Sequence, residues 1–184
     1  MDDNDNVGRR PSNNTPASAK RGHSVVQHQR ARHELQTKLA SPERRAGAVN
    51  AMYDRQFQGH GNSRHGAHTT SSQHGQRVLT GANPDGGAGR AVRKSSRWKD
   101  QQTQLSARHA AQNQFQSGVK QGTTGQSSGN DNLVLTADLG KGVTGRQATR
   151  LGSVKNPTGV SFSPTQRGKV VLRKDGGYLT DYPE

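Results

Sequence analysis

Residues 169–182 read KVVLRKDGGYLTDY. Val170, Val171 and Leu172 form a short apolar run, Lys174-Asp175-Gly176-Gly177 supplies turn residues, and Tyr178-Leu179-Thr180 returns to strand composition. The stretch predicts a β-hairpin closed across a glycine-containing loop. Upstream, Leu133–Leu139 and Gly159–Phe162 have the same short, strand-like character. With Lys169–Arg173 and Tyr178–Tyr182 they give a set of strands separated by Gly, Pro and Asn. Before them the period is helical. For a helix over Pro42–Phe57, Ser41 is a natural N-cap, Pro42 suits the first turn and Glu43 complements the dipole. Val49, Tyr53 and Phe57 form one apolar stripe, and Gly59 and Gly61 end it. Ser24–Leu39 and Gln101–Gln116 also read as helices, the second with Asp100 as N-cap and Ala107, Ala111 and Phe115 on one face. Helices first and strands afterwards predict an α+β chain: N-terminal helices followed by a small twisted antiparallel β-sheet.

Composition limits what this fold can bury. Hydrophobic residues make up 26% of the 184 residues and aromatics 4%; even with the 23 glycines the apolar share stays short of a globular average, roughly 45–50%. A large core through the whole chain is excluded; part of the chain is expected to be disordered, or a small core to lie under a polar, loop-rich surface. No run approaches the roughly 18 apolar residues of a membrane span, and MDDNDNVGRRPSNNTPASAK has no apolar stretch of the kind a cleavable secretory signal needs. Cysteine is absent, which removes disulfides, thiolate nucleophiles and cysteine zinc sites. A net charge of +14 and a pI near 11.1 point to a polyanionic partner, nucleic acid before an anionic membrane or an acidic protein.

The charge is uneven. Residues 1–60 carry ten basic and six acidic residues, and residues 61–184 carry seventeen and seven. The expected organisation is therefore a disordered segment at 1–20, a helical hairpin or linker at 21–60, and the active domain at 61–184. Residues 62–99, rich in Gly, His, Ser and Arg, read as loop with short strands, and residues 119–131 as a mobile loop. A separate helix-turn-helix is not supported, because no recognition helix with an apolar inner face follows.

Four of the eight histidines, His60, His65, His68 and His74, fall within fifteen residues. Their spacing matches no zinc motif, and no Asp or Glu between Asp54 and Asp85 could complete a site, so no metal is assigned. The order of motifs around them is more informative. Gly66-Ala-His68-Thr69 is followed by His74-Gly75, Arg77, Pro84-Asp85-Gly86, the basic run Arg90–Lys94 and Ser95-Ser96-Arg97-Trp98, which leads into the helix with Ala107, Ala110 and Ala111. The chain closes with Val170-Val-Leu172, Tyr178 and Thr180-Asp-Tyr182-Pro183. Over roughly residues 61–184 this order resembles the ribonuclease A-like toxin domain of bacterial contact-dependent growth inhibition and other polymorphic toxin proteins.

The resemblance implies a metal-independent RNA endonuclease without cofactor, leaving 2′,3′-cyclic phosphate ends. It implies His68 as general acid/base, with His65 and His74 as the alternatives, Arg77 as the transition-state cation, and Thr180 and Tyr182 as phosphate-orienting hydroxyls. His74, Ser96 and Arg97 would bind substrate. It further implies an RNA substrate (tRNA among the possibilities), a cognate immunity protein, a larger delivery protein, and action in the cytoplasm of a target bacterium; electrostatics suggests that the immunity protein is acidic. The residue types suit the chemistry on their own terms. Histidine can hold or release a proton near neutrality, arginine presents a charged fork to phosphate oxygens, and Thr180 and Tyr182, two apart on a strand, share a face. The rival readings are a non-catalytic basic RNA- or DNA-binding protein and a metal-dependent nuclease using the histidine cluster.

Overall fold

Ser41 Oγ accepts a hydrogen bond from the Arg44 N–H at 3.2 Å and opens helix α1, Pro42–Phe57. The helix closes at Gln58, whose backbone is left-handed (φ 51°) and whose N–H donates to the Asp54 carbonyl. The computed structural model describes residues 41–117, 132–137 and 139–184. Expectations for residues 1–20, for the helix at Ser24–Leu39 and for the loop at 119–131 lie outside the described residues. The described elements belong to one unit that begins at residue 40.

Two short helices follow in a stretch whose composition predicted loop and strand: α2, Gly61–His65, and α3, Ser71–Thr80. A capping box fixes the start of α3. Thr70 Oγ1 accepts from the Gln73 N–H (3.2 Å), and the Gln73 side chain accepts from the Thr70 N–H (2.7 Å). Gly81, at φ 89°, closes it with a conformation that only glycine adopts cheaply. Residues 94–98 form strand β1, Lys94–Trp98, and α4, Gln101–Gln116, begins after it with Asp100 accepting from the Thr103 N–H at 2.6 Å. The remaining strands are β2, Leu133–Ala137; β3, Gly145–Gly152; β4, Pro157–Thr165; β5, Gly168–Leu172; and β6, Tyr178–Pro183.

The strands form two antiparallel three-stranded sheets, in the orders β1-β3-β4 and β2-β5-β6. The class is α+β. The hairpin read from residues 169–182 is β5–β6, with Lys169 opposite Tyr182 and the turn held by the Arg173 N–H donating to Gly177 O at 2.8 Å. Strand β3 has no apolar alternation to reveal it. Its buried positions are Gly145, Ala148 and Arg150, and the Arg150 guanidinium donates to the carbonyls of Val78 (2.9 Å) and Val92 (3.1 Å).

The small core consists of Trp98 from β1, Ala107 and Ala111 from α4, and Leu135, Ala137, Val170, Leu172 and Tyr178 from the second sheet. Tyr53 and Phe57 of α1 pack onto it. The sheets join where β4 turns through Gln166 and Arg167 into β5. There both backbone N–H groups donate to Glu184 O (3.2 and 3.0 Å), and Ser96 Oγ donates to Pro183 O at 2.6 Å.

Candidate active site

At this junction lies a cleft of about 780 Å³ whose walls include His65 of α2, Arg77 of α3, Ser96 of β1, and Thr180 and Tyr182 of β6. His65 is 6% exposed. Its Nδ1 lies 2.6 Å from the Ser96 carbonyl, and a carbonyl can only accept. Nδ1 therefore carries the proton, and Nε2 presents a lone pair. Arg77 Nη1 reaches that Nε2 at 3.3 Å. Burial, reinforced by the Arg77 charge and only partly offset by the Ser96 hydrogen bond, pushes the His65 pKa down to about 3. At neutral pH this imidazole is a neutral base. The Tyr182 ring stands 5.6 Å from it, centroid to centroid.

Two buried polar atoms of these residues have no protein partner among the described residues: Arg77 Nε and Thr180 Oγ1. Buried polar groups are normally satisfied, and both of these residues line the cleft. Lys94 and Arg167 line the same cleft and favour an anion.

Of the other sequence-assigned residues, His68, His74 and Arg97 lie outside the cleft walls. His68 is exposed and does not line the cleft; its Nδ1 is 3.5 Å from the Gln101 side-chain nitrogen at the start of α4. His74 is buried behind the site. Thr69 Oγ1 donates to Gly66 O (2.7 Å) and so accepts from His74 Nε2 (2.9 Å), which leaves His74 Nδ1 to accept from Ser95 Oγ (2.7 Å). Both ring nitrogens are used, Nδ1 in holding α3 to β1 and Nε2 on Thr69 ahead of the helix, and burial with Arg77 and Arg97 nearby lowers the His74 pKa to about 4. Ser96 borders the cleft, but its hydroxyl proton is committed to Pro183 and its carbonyl to His65. Arg97 donates to Ala67 O and faces a neighbouring depression. His60, assigned no role from the sequence, lines the cleft. Its imidazole makes no hydrogen bond to the described residues, and burial together with Arg64 lowers its pKa.

What brings His65 to Thr180 and Tyr182 is a buried ion network. Asp181, between those two residues on β6, points to the opposite face and is fully buried. Its Oδ1 accepts from Trp98 Nε1 and Gln104 Nε2, both at 2.7 Å, and its Oδ2 from Arg108 Nε at 2.7 Å. Arg108 also donates through Nη2 to Asp54 Oδ1 (2.8 Å) and through Nη1 to Asn50 O (2.8 Å). The Asp54 carboxylate in turn accepts from the N–H groups of Asn62 (3.2 Å) and Ser63 (2.9 Å). His60, the residue before α2, has no side-chain cap to offer, so Asp54 of another helix satisfies the first turn. Gly61 is required at this crossing, because any side chain there would run into the Asp181 carboxylate.

No family model matches this chain, and no curated protein matches it. Among solved structures, the CdiA-CT/CdiI complex from Y. kristensenii 33638 is similar, with a TM-score of 0.45 and 21% identity over 66% of this chain and 95% of that chain.

Proposed function

We propose that this protein is a metal-independent RNA endonuclease with His65, Arg77, Thr180 and Tyr182 as its catalytic residues. The observation that carries the reading is their convergence. An imidazole whose Nε2 lone pair faces the Arg77 guanidinium, that guanidinium and two hydroxyls, from three elements and up to 117 positions apart in the numbering, line one cationic cleft. In this mechanism His65 Nε2 takes the 2′-OH proton of the ribose, and the 2′-oxygen attacks the adjacent phosphorus. The P–O5′ bond breaks and a 2′,3′-cyclic phosphate remains. Arg77 and the hydroxyls of Thr180 and Tyr182 donate to the nonbridging oxygens as charge builds on the phosphorane. The departing 5′-oxygen takes its proton from water entering the cleft, because His60, the other imidazole there, has its pKa lowered by burial and Arg64 and carries no proton to give at neutral pH; the proton held by His65 returns to solvent.

The motif order over residues 61–184 supports the wider setting: a toxin domain of interbacterial competition, carried by a larger delivery protein, acting in the cytoplasm of the target cell and blocked by an acidic immunity protein. A cationic cleft that attracts RNA also attracts carboxylates. The test is incubation of the purified protein with total RNA, with and without EDTA, followed by mapping of the new ends. Cyclic phosphate ends that persist in EDTA and vanish in His65→Ala are expected. RNA that is bound but never cut would favour the non-catalytic binding protein, and cleavage abolished by EDTA the metal-dependent nuclease.

A further inference from the structure

The sheet that walls the cleft carries a second cationic depression, which the mechanism does not use. Arg97, Arg146 and Pro164 form one row across β1, β3 and β4, and Phe162 is the next residue on that face of β4. Phe162 is 40% exposed. The Arg146 guanidinium lies 5.5 Å from its ring centroid, and Gly75 of α3 is close enough that a Cβ there would meet the ring edge at 3.5 Å. The ring is thus held from two sides while keeping an open surface. Phe162, Arg97, Arg146, Lys99 and Val143 line a depression of about 450 Å³ with no carboxylate in its walls. The Asp100 carboxylate, 3.8 Å from Lys99 Nζ, also caps α4. Pro164 lines both this depression and the catalytic cleft.

We propose that the depression is a nucleotide-binding subsite for single-stranded RNA running out of the cleft past Pro164, with one base stacked on Phe162 and the flanking phosphates held by Arg146, Arg97 and Lys99. The identification of the strand as RNA rests on the ribonuclease reading; the subsite's ligand class rests on an aromatic face framed by cations, the combination by which proteins hold single strands without sequence preference. Such stacking tolerates any base, because each has a π-face.

The test uses the full chain and two substrates: a dinucleotide, which fills only the cleft, and an oligonucleotide of about ten nucleotides, within the span of single-strand sites. Phe162→Leu is expected to raise KM for the oligonucleotide roughly tenfold to a hundredfold, the range associated with losing one stacking aromatic, with kcat retained and the dinucleotide kinetics unchanged. Phe162→Trp is expected to keep wild-type affinity, and its added fluorescence to be quenched by the oligonucleotide. Thermal melts of both variants report folding. Binding is also measured with a 2′-deoxy analogue that cannot be cut. If the wild type cleaves no RNA yet Phe162→Leu still loses the analogue, the ribonuclease reading fails and the subsite stands. Folded Phe162→Leu that binds the analogue as the wild type does overturns the proposal, including the case where it has lost only a protein inhibitor.

Discussion

Arg77 Nη1 lies 3.3 Å from His65 Nε2, the one ring nitrogen that the Ser96 carbonyl leaves free. A guanidinium there opposes the imidazolium form and keeps the base ready before substrate arrives. Once a phosphate enters, the same cation can serve its oxygens. His65→Ala is therefore expected to lower the cleavage rate by about 10²–10⁴-fold, with RNA binding and folding nearly intact. His68→Ala, which removes an exposed ring outside the cleft, is expected to cut at close to the wild-type rate. Equal losses in the two variants would refute the assignment of His65.

Arg77→Lys is expected to be damaging although it keeps the charge, because an ammonium cannot give two parallel donors to a phosphate. Tyr182→Phe removes one hydroxyl and keeps the ring against His65, so a partial loss in kcat is expected. Single-turnover cleavage of a defined RNA measures both.

Acid should weaken the fold through the two buried imidazoles. The folded-state values are about 3 for His65 and about 4 for His74, against roughly 6.5 when unfolded. Between those limits the unfolded chain binds more protons, so stability is full above about pH 6.5 and falls as pH drops toward the folded values. The slope reaches up to about 1.4 kcal/mol per pH unit for each site. Urea unfolding at pH 7, 6 and 5 should show this decline, and His74→Asn should flatten part of it.

Arg108→Met leaves Asp181 and Asp54 buried without their cation, an error expected to cost about 3–5 kcal/mol in urea unfolding. Truncation tests the same network from the other side. Removing residues 1–39 keeps every residue named in it. Removal through His60 takes away Asp54, which caps α2, and with Asn50 two partners of Arg108. The longer truncation is expected to lower the melting temperature sharply and to abolish cleavage.

RNA affinity should fall steeply as salt rises from about 50 to 200 mM, because cations of the cleft release counterions from the phosphates. A filter-binding titration that is flat over this range would argue against any nucleic-acid ligand.

Where local signals exist, the sequence is legible. Ser41 with Pro42, and Asp100 ahead of Gln101, mark α1 and α4 at their observed starts, and the glycine turn marks the β5–β6 hairpin. The alternation along β6 also puts Thr180 and Tyr182 on one face with Asp181 on the other. Thr70-Ser-Ser-Gln73 followed by Gly81 is likewise a helix signature, one that the low apolar content of 62–99 obscured. Strand β3 was hidden because buried Ala148 and Arg150 give no hydrophobic period.

The choice of histidine belongs to tertiary structure. A five-residue helix has no periodicity of its own, and its first turn is capped by Asp54 from α1. Its far end is fixed by the Ser96 carbonyl of β1. Composition placed a boundary at Gly59–Gly61, yet Arg108 of α4 binds carboxylates from both sides of that point, Asp54 and Asp181. The sequence by itself determined the α+β class, the strong basicity and the shared face of Thr180 and Tyr182, because caps, turns and alternation act within a few residues. Which imidazole meets them was decided by hydrogen bonds from Arg108 to groups up to 73 positions apart from it in the numbering, which no local pattern encodes.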